Sequence, residues 1–120
     1  MNNNCRNNVI EPQKILKITN NLRFLGLKFN MSGTKFISKC IQIIILSGSD
    51  IYFLEDVINE IIKIYPRYNS MQIRMAMKYA LENRDDKKSK QNFEKIFGYQ
   101  YSEEIFVTKT FIDEFIYTIV

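Results

Sequence analysis

The chain has 120 residues and a formal net charge of +4, a length that suits one domain with a modest core. Hydrophobic residues make up 46% and there are nine phenylalanines, a composition that excludes a disordered chain. Only four glycines and two prolines punctuate it, so helices joined by few turns are expected rather than a sandwich of short strands. Residues 1–12 are Asn-rich and polar and read as a flexible arm, with residues 13–120 as the folded domain. A helix is expected over Lys14 to Leu25, with Ile15, Ile18, Leu22 and Leu25 as its apolar stripe and Gly26 ending it in the left-handed conformation. After a connector, Ser32 is placed to cap a helix running to about Leu46. Its core face is Phe36, Ile37, Cys40, Ile41, Ile44 and Ile45, the most hydrophobic stripe in the chain.

Ser47-Gly-Ser-Asp breaks that helix, and Ser49 or Asp50 is placed to cap the next one, which leads to Tyr65. Leu54, Val57, Ile58, Ile61, Ile62 and Tyr65 share one face there. Pro66 cannot continue the hydrogen-bond ladder, so this helix stops at about Tyr65. Asn69 or Ser70 then caps a helix to about Arg84, whose inner face is Ile73, Ala76, Met77, Ala80 and Leu81. Its outer face is Met71, Arg74, Met75, Lys78 and Glu82, with Gln72 and Tyr79 on the edge. Asn83 to Lys88 reads as a polar loop, Ser89 to Phe97 as a short helix with Phe93, Ile96 and Phe97 inward, and Gly98 follows its end. Tyr99 to Val107 is expected to be extended or irregular. Thr108 to Ile119 is the last helix, with Phe111, Ile112, Phe115, Ile116 and Ile119 inward. The predicted fold is all-α, about six short helices around one core, with a helix-turn-helix at residues 55–84 of winged-helix-like type and no clear wing.

The chain has no histidine, which removes the commonest general base and the usual zinc ligand. Cys5 and Cys40 have no metal-site spacing, and Cys40 falls on an apolar helical face. No Gly-rich phosphate loop is present. Glu103-Glu104 and Asp113-Glu114 are neighbours that point apart on a helix. Glu55-Asp56 opens a helix and reads as favourable charge against its dipole. No enzyme, cofactor or metal is therefore expected. Two separated cysteines and the absence of a signal-like or membrane-spanning run fit a cytoplasmic protein.

Charge is uneven. Residues 63–95 hold nine Lys/Arg against four acids, a balance of +5, so the remainder of the +4 chain carries −1. Such asymmetry points to a phosphate-bearing partner.

From Ile18 to Ile116 the order of motifs resembles the C-terminal DNA-binding effector domain of the stage-zero sporulation response regulator of clostridia and bacilli. Ile18-Thr19, Leu22, Leu25-Gly26 and Gly33 stand at the intervals of that family's I-T-x-x-L-x-x-I-G segment and the G-Y-x-Y-L helix after it. The run from Met71 to Glu82 corresponds to its second helix, S-R-V-E-R-A-I-R-H-A-I-E. Phe97-Gly98-Tyr99 matches F-G-Y, and Glu114-Phe115-Ile116 matches E-F-I. The inward residues of the second helix are kept, whereas the outward ones differ. Gln72 stands for an Arg, Arg74 for a Glu, Met75 for an Arg and Lys78 for an Arg. The receiver domain that precedes the family's effector domain finds no room in these residues.

The resemblance implies a DNA-binding transcriptional regulator, connected with sporulation, whose copies associate side by side on tandem sites of double-stranded DNA. The helix from Ser70 enters the major groove in this reading. Gln72, Arg74, Met75 and Lys78 are the candidate base contacts. Arg74 and Lys78 suit base acceptors or phosphates, Gln72 suits adenine, and Met71 or Met75 a thymine methyl. Arg67, Ser70, Tyr79, Arg84, Lys87 and Lys88 are the candidate phosphate contacts. The alternative is an interaction module without useful DNA affinity, which pairs with and antagonises a full-length regulator through its outer-face methionines.

Overall fold

A computed structural model describes residues 10–48 and 52–119. Among these residues the fold is all-helical, with six α-helices and no strand. They are α1 (Pro12–Phe24), α2 (Ser32–Ser47), α3 (Leu54–Ile64), α4 (Ser70–Glu82), α5 (Asp86–Phe97) and α6 (Thr108–Ile119), with a 3-10 turn at Glu103–Ile105 before α6. No described helix is long and apolar enough to cross a membrane. The arm expected over residues 1–12 lies outside the described residues for 1–9. Ile10 is already buried, and Pro12 opens α1, where a missing N–H costs nothing.

Helix α1 ends as the sequence indicates. The Gly26 N–H donates to Arg23 O and the Leu27 N–H to Leu22 O, with Gly26 at φ +95°. These two bonds satisfy the last carbonyls of the helix, and buried Leu22 and Leu27 close the turn. Helix α2 is the centre of the molecule. Phe36, Ile37, Cys40, Ile41 and Ile44 are buried along it, and it packs against α1, α3, α4 and α6. Burial pushes the Cys40 thiol up to about 12, so it stays protonated beside Met77 Sδ at 3.8 Å. Ser32 is the first residue of α2 rather than its cap; Met31 holds the cap position and makes no side-chain bond there. Ser49 and Asp50, expected to cap α3, lie outside the described residues. Phe53 stands at that cap, again with no side-chain bond.

Helix α3 buries Val57, Ile58 and Ile61. Tyr65, expected on the same face, is 39% exposed and meets the Phe36 ring only edge-on, 5.9 Å between centroids. The Tyr68 N–H donates to Tyr65 O at 3.1 Å, closing a turn over Pro66 and Arg67, with proline at the position whose φ it presets. Asn69 then starts α4. Its side chain accepts from the Gln72 N–H at 2.8 Å, and Gln72 Oε1 accepts from the Asn69 N–H at 2.9 Å, a reciprocal cap that satisfies two orphan donors. Helix α4 lays Ile73, Met77, Ala80 and Leu81 on the core, and Ala76 is partly buried.

The start of α5 differs from expectation. Asp85 caps it by accepting from the Lys88 N–H, so residues 86–88 form its first turn rather than a loop. The apolar pattern conceals this because the residue that docks the turn is Ser89. It is fully buried and donates to Leu25 O at 2.5 Å. The Asp85 N–H also donates to Gly26 O at 2.8 Å, and Asn92 Nδ2 to Phe24 O at 2.8 Å. The end of α1 is thus stitched to the start of α5. Phe93 of α5 continues through Phe106 to Phe111 and Phe115 of α6 as one aromatic wedge, with Phe106 and Phe111 stacked at 5.6 Å.

Candidate nucleic-acid interface

Helix α4 presents one face to α2 and the opposite face to solvent. On the solvent face Met71, Gln72, Arg74, Met75, Lys78 and Tyr79 are all exposed. Met71, Met75 and Tyr79 succeed one another at four-residue spacing, so they form one stripe. Their exposures of 70%, 58% and 60% are high for large apolar side chains. Arg67 is exposed in the turn before α4, and Lys87 and Lys88 are exposed on the first turn of α5.

The structure divides the expected contacts into engaged and unengaged groups. Gln72 is tied into the α4 cap by its Oε1. Ser70 Oγ donates to both Glu55 oxygens, and Arg74 Nη2 donates to Glu55 Oε1 at 2.6 Å. Arg74, then Ser70, hold the Glu55 carboxyl below its ordinary range, so it is ionised at neutral pH. Sequence reasoning assigned Glu55 to its own helix dipole. Its partners are 15 and 19 residues away, and no local spacing points to them.

Arg84, expected at the phosphate backbone, is placed inside the fold, its side chain only 5% exposed. Nε donates to Ser89 Oγ at 2.9 Å, Nη1 to Leu81 O at 2.7 Å, and Nη2 to Tyr101 Oη at 3.1 Å and Glu103 Oε2 at 3.0 Å. The guanidinium carbon lies 3.5 Å from the centroid of Phe106, a cation–π contact. Arg84 therefore joins the end of α4, the start of α5 and the 3-10 turn, and its donors are directed inward.

Of the nine cations in residues 63–95, four make ion pairs: Lys63 with Glu60, Arg74 with Glu55, Arg84 with Glu103 and Lys90 with Asp86. The other five, Arg67, Lys78, Lys87, Lys88 and Lys95, have no ion pair with a described residue. Lys78 lies on the solvent face of α4, Arg67 precedes that helix and Lys87 and Lys88 follow it. Lys78 can thus meet a polyanion without first losing an internal partner, whereas Arg74 cannot. Neither a family model, a curated protein nor a solved structure matches the chain.

Proposed function

We propose that this chain is a DNA-binding transcriptional regulator in which α3 and α4 act as a helix-turn-helix and α4 enters the major groove. The observation that carries the reading is the division of α4. Its inner stripe is held on α2, and its whole outer face is in solvent with Lys78 unpaired among the described residues. A firmly docked helix whose outer face is open to solvent and carries an unpaired cation is suited to groove entry. Arg67, Lys78, Lys87 and Lys88 supply the phosphate contacts, Tyr79 adds a hydroxyl, and Met71 and Met75 offer apolar contact to thymine methyl groups. The motif order shared with the sporulation effector domain supports the same function, with pairing of copies on tandem sites, a location at the nucleoid and no catalytic role. Gln72 must leave its cap to read a base, and Arg74 must leave Glu55. Base readout is consequently weaker here than phosphate binding.

Fluorescence anisotropy on a labelled duplex tests this reading. Lys78→Ala should weaken binding about three- to tenfold at low salt and by a similar factor on unrelated sequences, because a phosphate contact carries no sequence information. An unchanged affinity would remove α4 from the interface.

The exposed stripe of Met71, Met75 and Tyr79 favours a second reading, an interaction module that pairs with another regulator. Methionine adapts to varied protein surfaces. Under that reading Met75→Ala abolishes partner binding, and the free protein leaves duplex DNA unshifted at low salt.

A further inference from the structure

A hydroxyl and a guanidinium meet at the beginning of α4, and a carboxylate from α3 fills the point where they meet. Ser70 Oγ lies 3.2 Å from Glu55 Oε1 and 3.1 Å from Oε2, and Arg74 Nη2 lies 2.6 Å from Oε1. Ser70 and Arg74 are one helical turn apart, so both reach the same place. A hydroxyl and a planar guanidinium converging on a pair of anionic oxygens is a donor set that suits phosphate. Here the two oxygens belong to the protein.

The cap of α4 does not depend on this carboxylate. Asn69 and Gln72 already satisfy each other's N–H groups. Nor is the ion pair sealed from water: the Arg74 and Glu55 side chains are 44% and 51% exposed. A pair in that setting holds weakly, and an arriving anion can compete for both donors.

We propose that Ser70 and Arg74 form one phosphate site that Glu55 keeps closed, so that Glu55 lowers the affinity of this surface for the DNA backbone. The inference rests on the DNA-binding reading of α4. It changes the role of Arg74 from base reading to phosphate binding, and it gives Glu55 an antagonistic role. When phosphate takes the two donors, Glu55 loses its partners and faces the incoming charge, which opposes binding a second time.

The test uses the full chain and a labelled duplex of mixed sequence, titrated across salt concentrations, with wild type, Glu55→Gln, Arg74→Ala and the double variant. Glu55→Gln is expected to bind about three- to tenfold tighter at low salt. Its slope of log affinity against log salt should steepen by about 0.9, since one further phosphate is neutralised. Arg74→Ala should be nearly silent in the wild-type background and should erase the gain in the Glu55→Gln background, a coupling that independent residues do not show. Glu55→Ala must reproduce the gain, which guards against a glutamine amide holding the same two donors. Equal or weaker binding by both Glu55 variants, with the loss at Arg74 the same in either background, overturns the inference and leaves the DNA reading intact. Absence of binding by every protein at low salt overturns both.

Discussion

Gly33→Ala is expected to destabilise the fold by about 3 kcal/mol, at the upper end of ordinary overpacking. A Cβ at residue 33 would lie 1.8 Å from Ala76 O, 2.4 Å from Ala76 C and 2.9 Å from Ala80 Cβ. The first two atoms are helix backbone and cannot turn aside as a side chain can. α2 and α4 would have to separate, and their contact is the most extensive helix pairing among the described residues. Separation loosens the packing of Ile73, Met77 and Ala80, all fully buried. For a domain of this size the melting temperature should fall by about 12 °C or more. Thermal unfolding followed by circular dichroism measures it. A shift of about 2 °C or less would mean that the helices are not in close approach at Gly33. Gly26 is the other glycine with a packing reason, since its Cβ would meet Asp85 O at 2.3 Å and its φ is positive.

The second large effect is expected at Arg84. Arg84→Met keeps length and apolar contact but removes the donors that reach Ser89, Leu81 O, Tyr101 and Glu103. A hydrogen bond to a charged group contributes roughly 1.5–3 kcal/mol, and bonds sharing one guanidinium do not add fully. The loss should be about 3 kcal/mol. Arg84→Lys should recover little of it, because an ammonium cannot reproduce the fork. The pH dependence has a definite sign. Tyr101, then Arg84, hold the Glu103 carboxyl below its ordinary value of 4.5. The unfolded chain therefore binds more protons, and the Glu103 contribution is complete above 4.5 and lost as pH falls through the lowered folded value. The gap between wild type and Arg84→Met should narrow in that acidic range. A constant gap in urea unfolding across pH would separate Glu103 from the role of Arg84. Arg84→Met is expected to alter duplex affinity only through stability, unlike Lys78→Ala.

Helices with strong apolar periodicity were legible from the residues. α2, α4 and α6 fall within a residue or two of their expected bounds, and Ile73, Met77, Ala80 and Leu81 bury the face assigned to them. Local chemistry was also legible where it involves neighbours, as at the Asn69 cap, the Pro66 turn and the positive-φ Gly26. Contacts between distant polar residues were not. Ser89 is buried because Leu25 O and Arg84 meet it, and no hydropathy pattern marks a buried serine. Arg84 counted toward a basic surface because sequence gives charge without direction. Glu55 was assigned to the nearest helix end, whereas it faces Ser70 and Arg74 across the turn. The exposed face of α4 was therefore legible in the sequence, but its division into free and occupied donors was not. That distinction arises only from tertiary packing.

The measurement that bears most directly on the DNA-binding reading is the salt dependence of duplex affinity for the wild-type chain. Arg67, Lys78, Lys87 and Lys88 are the unpaired cations on or next to α4 in the chain that are assigned to phosphates, with Arg74 withheld by Glu55. Four contacts should give a slope of log affinity against log salt of about −3.6. A slope near that value, made shallower by about 0.9 in Lys78→Ala, is the expected result. A flat response, or no binding of duplex DNA at low salt, would contradict the account and turn attention to the Met71, Met75 and Tyr79 stripe as a surface for protein.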